Sequence, residues 1–304
     1  MNLKRMNFKL LPILLALTYS FIIGLSFLFT KLVVPYAPPL LVLAHRFSFA
    51  VIFYALFLLI IRHPFNINRK LILKVLPILA FYPVLFFLLQ ILGLLRSSSS
   101  EAGIIFAVAP VLIVIISALL GNYPNKYQVI GVILSVGGVV GMFIAGGVSL
   151  HSGSGLGLFL LFLSTLSSAL YTIMIKRLVA VYDVHDLTFS IVLAGFIAFN
   201  SAYFIQCAIS GETPSYVAPL LIPQYLFGVA YLGILSSVVS SFLSNYILKS
   251  MSPPQFSVFS NLATLISVGA GALLLGETLH IHHYVGGLFI LTGVIITNFS
   301  RGSR

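Results

Sequence analysis

Whatever chemistry this chain performs rests on a few polar side chains set in long apolar runs. Arg46 stands about seven residues after Pro39 in the run PLLVLAHRFSFAVIFYALFLLI, roughly 10 Å along a helix that rises 1.5 Å per residue. A guanidinium in such surroundings costs on the order of 2.5–3.5 kcal/mol unless it meets water or a partner. It offers bidentate donors to a carboxylate or phosphate; it can equally serve structure, pairing with Glu101 or reaching for the surface along its apolar stem. Tyr19, Ser20, Tyr82, Gln90, Thr165, Tyr171, Ser241, Asn245 and Asn261 are the remaining polar groups expected to face a ligand. Each could instead hold two helices together by a hydrogen bond worth about 0.6–2 kcal/mol.

Other chemistries are poorly supplied. Cys207 is the single cysteine, which excludes an internal disulfide and a cysteine-built metal site. His280, His282 and His283 have only Glu277 close in sequence, so they read as an interfacial loop and no metal is expected. The five acids, Glu101, Asp183, Asp186, Glu212 and Glu277, map to loops or the ends of apolar runs. His45 and Glu101 alone lie close enough to those runs to be proton-coupling candidates. An intramembrane enzyme would need paired His/Asp, Glu/Glu or Ser/His groups at depth, and the near absence of acids there argues against one, so neither catalytic residues nor a cofactor are expected.

The elements that must position these side chains follow from composition. Of 304 residues, 60% are hydrophobic and 7% charged, and the mean hydropathy is +1.15; these values describe a membrane protein. Ten runs approach the roughly 20 residues needed to cross a bilayer: 10–32, 39–61, 73–95, 102–120, 127–146, 156–176, 187–207, 224–248, 256–276 and 284–299. They lack the period-two alternation of barrel strands, so the expected fold is an all-α integral membrane bundle of ten helices. The first run is too long for a signal peptide and has no small-residue cleavage site, and is read as a retained helix.

The chain is also a duplication. Shifting by 155 residues lays Leu274, Leu275, Gly276, Gly286, Gly293 and Val294 on Leu119, Leu120, Gly121, Gly131, Gly138 and Val139. A shift of 145 lays Thr165, Ala169 and Lys176 on Ser20, Gly24 and Lys31. The Gly/Ser-rich seam at 146–155 separates five spans from five, giving repeats at 1–148 and 149–304. With the N-terminus inside, the inner loops collect Lys4, Arg5, Lys9, Arg62, Arg69, Lys70, Lys74, Lys126, Lys176, Arg177, Lys249, Arg301 and Arg304, leaving only Lys31 and Arg96 outside. That bias places both termini in the cytoplasm, and accounts for the +11 net charge without nucleic acid. Five is odd, so the second repeat enters from the opposite side. Inverted halves that exchange conformations around a shared midplane site are a transporter signature.

Helix interruptions point to that site, because they free backbone groups at membrane depth. Tyr82-Pro83 and Ala109-Pro110 interrupt the third and fourth spans, and the duplication extends the expectation to Ser237-Val238 and Thr264-Leu265 in the eighth and ninth. The fifth and tenth spans are instead Gly-studded, with Gly137 and Gly141 forming a GxxxG; they read as packing helices or a dimer face.

Several motifs carry a family resemblance: Lys31 closing the first helix, Pro38-Pro39 before Arg46-Phe47, the 97–103 turn before Ala109-Pro110, and Gly276-Glu277 followed by Gly286 and Gly293. In this order the chain, over about 11–299, resembles an EamA-type member of the drug/metabolite transporter superfamily. It departs where the family commonly has Trp-Gly in the first helix, here Tyr19-Ser20, and at Gly121-Asn122, where the second copy has Gly276-Glu277. The resemblance implies a secondary carrier of the inner or plasma membrane. Its cavity would be lined by spans one, three, four, six, eight and nine, and would pass a small metabolite such as an amino acid, most commonly outward. Nucleosides, sugars or drug-like solutes are alternative cargo, and a membrane enzyme acting on lipid is the alternative from another class. The expected partners are a small-molecule substrate and the lipid bilayer, with the protein a monomer or homodimer.

Overall fold

Among the described residues ten helices are long and apolar enough to cross a membrane: α1 (Leu10–Tyr36), α2 (Pro39–Ile60), α3 (Arg69–Gly93), α4 (Ala102–Leu119), α5 (Lys126–Ala145), α6 (Gly155–Leu178), α7 (Val184–Ser210), α8 (Pro223–Ser250), α9 (Pro253–Leu274) and α10 (Ile281–Asn298). The computed structural model describes residues 3–64, 69–94, 96, 99–147, 155–211, 215–275 and 279–299. The side chains of Lys31 and Glu101, and residues 276–278 with Glu277, lie outside the described set. The fold is an all-α membrane bundle of two inverted five-helix repeats.

Local chemistry sets the helix ends. Pro occupies the first turn of α2 and α8, where its missing N–H costs nothing. Asn125 opens α5 with a capping box, its side chain accepting from Gln128 N–H while Gln128 accepts from Asn125 N–H. Asp183 caps α7, and Gly211 closes it in the left-handed region at φ 70°, a conformation glycine adopts without a Cβ penalty. The Lys176 ammonium, in the last turn of α6, donates to the carbonyls of Leu248 and Met251 where α8 ends.

The pseudo-two-fold relation is visible where α5 and α10 cross. A Cβ on Gly138 would sit 2.6 Å from Gly286 O, and one on Gly286 2.6 Å from Gly138 O. The same exchange joins Gly131 and Gly293, at 2.6 and 2.5 Å. In the duplication Gly131 matches Gly286 and Gly138 matches Gly293, so each glycine meets the counterpart of the other, as a two-fold interface requires. Backbones approach this closely only where side chains are absent. The face of Gly137 and Gly141 is open, with nothing within 4 Å of an added Cβ at either.

Two helices carry matched irregularities. In α3 the segment Ala80–Leu85 winds as a π-helix, with Tyr82 outside the helical region at φ −141° and ψ 123° and a cis Tyr82-Pro83 peptide. In α8 the segment Ile234–Val239 also winds as a π-helix, its flanking residues Gly233 and Ser240 staying helical, at the position the duplication assigns. In α4 the ladder lapses at Val108, two residues before Pro110. The expectation for the ninth span fails: helix Pro253–Leu275 is continuous, because Leu265, unlike Pro110, has an N–H and no ring to clash with the preceding turn.

Candidate functional site

The two π segments meet around Arg46. Its Nε–H donates to Ser237 Oγ at 2.7 Å, and Nη2 donates to Ser236 Oγ at 3.0 Å and Ser236 O at 3.3 Å. The carbonyl and hydroxyls come from the π segment of α8, where Ser237 Oγ donates back to Leu232 O at 3.0 Å and Ser240 Oγ to Ser236 O at 2.6 Å. Ser236 O thus accepts from both Ser240 Oγ and the guanidinium. On its other side Arg46 lies 4.7 Å over the Phe87 ring of α3, a cation–π contact of roughly 0.5–2 kcal/mol. Among the described residues no carboxylate pairs with Arg46. Its printed partners are neutral groups: two serine hydroxyls, a carbonyl and an aromatic ring.

Tyr82 follows from the break in α3. Its hydroxyl lies near Ser241 and within electrostatic range of Arg46. Its ring packs 4.6 Å from that of Tyr171 of α6. Tyr19 of α1 joins the group, within range of both other tyrosines and with its ring 5.0 Å from Phe256. Protein surrounds Tyr19, Arg46, Tyr82 and Tyr171, yet the first three keep accessible surface. The group they form is cationic at one point, aromatic around it and hydroxyl-bearing along α8.

The other sequence-derived site residues divide. Ser241 and Asn245 lie on α8 beside this group, Asn245 accepting from Tyr171 OH at 3.0 Å and donating to Thr188 at 3.1 Å. Gln90, half-buried, is two turns along α3 from Tyr82. Ser20 is buried in the contact of α1 with α9, donating to Ala16 O and Phe259 O at 2.9 and 2.8 Å. Thr165 is buried and bonded to Leu161 O at 2.9 Å within its own helix. Asn261 donates to Ser135 of α5 at 3.1 Å. These three hold helices or backbone and are not brought to the tyrosine–arginine group. His45 also stands apart: buried, it is joined to Tyr225 OH at 2.8 Å and Tyr216 O at 2.9 Å. Sequence reading missed Ser236, Ser237 and Phe87 as partners of Arg46. The SSVVSS run was a visible signal, but which serine faces α2 depends on the π turn.

Membrane spans, duplication and a buried polar group between the halves define a multi-pass membrane carrier, and the comparisons name its family. The model of the EamA-like transporter family matches residues 10–144 and again 155–299, so the chain belongs to that family. It is 37% identical over 286 residues to "Uncharacterized transporter YcxC" of Bacillus subtilis (strain 168), covering 94% of this chain and 92% of that one. It is 27% identical over 286 residues to an "Uncharacterized transporter" of Archaeoglobus fulgidus, covering 93% and 97%. A solved structure titled "Crystal structure of protein" shares the fold with a TM-score of 0.77 at 17% identity, covering 94% of this chain and 97% of that one. The protein is a transporter of the drug/metabolite superfamily and not an enzyme.

Proposed function

We propose that this transporter exports a small metabolite bearing a carboxylate, such as an amino acid, by alternating access at the space between the two repeats. The observation that carries the reading is the guanidinium of Arg46, held by Ser236, Ser237 and Phe87 with no acid among the described residues to balance it. A cation so placed is stabilised by an anionic cargo, and an Arg fork suits a carboxylate. Tyr19, Tyr82 and Tyr171 supply apolar surface with polar tips for the rest of the solute. Ser241 and Asn245 complete the proposed binding set. The rings of Tyr82 and Tyr171, with centroids 4.6 Å apart and planes tilted by 31°, offer aromatic surface to a base and make a nucleoside the second reading.

The same reading assigns the bundle end carrying Lys126, Arg177 and Lys249 to the cytoplasm, with both termini there, in the inner or plasma membrane. It divides the repeats at 148/149, and leaves the transport path within one chain, whether monomer or homodimer. Counterflow in proteoliposomes against labelled amino acids, nucleosides and sugars, with and without a pH gradient, tests it. The expected result is amino-acid flux, weakened at least about tenfold in apparent affinity in a normally folded Arg46→Gln variant, which corresponds to about 1.4 kcal/mol. Flux confined to uncharged solutes, or lipid hydrolysis without flux, overturns it.

A further inference from the structure

We propose that a cluster of His63, His185 and Asp186, where the cytoplasmic ends of α2 and α7 meet, is a proton-binding site that controls opening of the carrier on that side. The inference rests on the carrier reading above and adds a coupling ion to it. Asp186 is 2% exposed, and its Oδ1 lies 3.1 Å from Nε2 of His63. His63 follows α2 of the first repeat and Asp186 begins α7 of the second, so the pair ties the two repeats together. Asp186 is not needed as the helix cap: Asp183 fills that role, accepting from His185 N–H at 2.7 Å. Asp183 Oδ1 also stands 3.8 Å from His63 Nε2, and the His185 ring lies 5.1 Å from that of His63.

Groups from the neighbouring elements complete the electrostatics. Tyr54 of α2 bonds His185 Nδ1 at 3.0 Å. Lys249 of α8 lies within electrostatic range of His185. Lys74 of α3 sits 5.7 Å over the ring of Tyr182, just ahead of Asp183, and Arg62 adjoins His63 in the chain. An imidazole can bind a second proton and become a cation. With that proton bound, the His63–Asp186 contact is an ion pair of opposite charges as well as a hydrogen bond. Without it, the carboxylate accepts from a neutral imidazole N–H, and the attraction between opposite charges is gone. Proton binding therefore draws the cytoplasmic ends of α2 and α7 together, and proton release loosens them.

A chain of contacts connects this cluster to the central site. Tyr54 bonds His185 at 3.0 Å and lies near Thr188, Asn245 donates to Thr188 at 3.1 Å, Tyr171 donates to Asn245 at 3.0 Å, and the Tyr171 ring lies against Tyr82 beside Arg46. The amide of Asn245 does not relay protons, so the chain transmits position. Charge at the cytoplasmic end is thereby linked to the placement of Tyr171 and Tyr82, both of which the carrier reading puts in contact with cargo.

The test uses full-length protein in nanodiscs with Cys207→Ala and spin labels at Ile61→Cys and Val181→Cys, both exposed near the cluster. Double electron–electron resonance at pH 6 and pH 8 is expected to give a short, narrow distance at pH 6 and a longer, broader one at pH 8. His63→Gln and Asp186→Asn should each abolish that difference. A further variant, Tyr54→Phe, removes the bond to His185 and cuts the chain but leaves the His63–Asp186 pair, and should retain it. Identical distributions at the two pH values in the parent overturn the proposal whether or not the variants fold, as does an unchanged pH response in Asp186→Asn. Absence of counterflow for every solute alongside an intact pH response would fault the carrier reading alone.

Discussion

Arg46 shows how neutral groups can hold a charge in a membrane interior, with no acid paired to it among the described residues. Three hydrogen bonds to Ser236 and Ser237 and the face of Phe87 replace its hydration, which lowers the cost of burial but leaves net charge for a ligand to meet. Arg46→Lys keeps the charge yet loses the Nε–H to Ser237 and the planar stack on Phe87. Apparent substrate affinity should fall about tenfold, with unfolding temperature in detergent little changed; a large loss of stability with affinity intact would assign Arg46 to structure. The duplication gives Arg46 no partner, since α7 carries no Lys or Arg in Val184–Ser210. Charge therefore breaks the symmetry that the backbone keeps.

Among the helices, two kinds of close approach do different work. The α5–α10 crossing is built on glycine against glycine, and an Ala at Gly138 would place Cβ 2.6 Å from Gly286 O. Gly138→Ala should cost about 1–3 kcal/mol, as overpacking does, read as a lower unfolding temperature. Gly137→Ala and Gly141→Ala meet nothing within 4 Å and should be neutral or stabilising by up to about 1 kcal/mol through helix propensity. The α2–α7 contact is of the second kind: Gly195 faces Phe47, with ring atoms 2.2 Å from an added Cβ. Phe47 in turn packs on Phe87 and Phe199 at 5.5 and 5.2 Å. Gly195→Ala should therefore displace Phe47 and reach Phe87, the ring beneath Arg46, lowering transport as well as stability.

For the whole molecule, inversion is the property on which transport depends. Single cysteines at Asn125 and at Val217, in a Cys207→Ala background, should react with impermeant maleimide from opposite faces of oriented vesicles; labelling of both from one face would sink the two-sided arrangement. Span number, the duplication and the π-wound break at Tyr82-Pro83 were legible in the sequence, because apolar length, internal self-similarity and proline chemistry are local or periodic signals. The break in α8 was legible only through its counterpart in α3, and the same transfer failed at Leu265, which lacks the proline that interrupts α4. Facing was not legible. Ser20 and Asn261, expected toward the interior space, bond across helix contacts, and His45 is enclosed by Tyr216 and Tyr225. His63 and Asp186 are far apart in the chain and ordinary in composition, yet folding sets them 3.1 Å apart. Sequence by itself determined that this chain crosses the membrane ten times in two opposed halves, since hydrophobic length and repetition are one-dimensional properties. Only the tertiary structure decided which polar groups meet, because that depends on helix rotation and on the π turns that shift it.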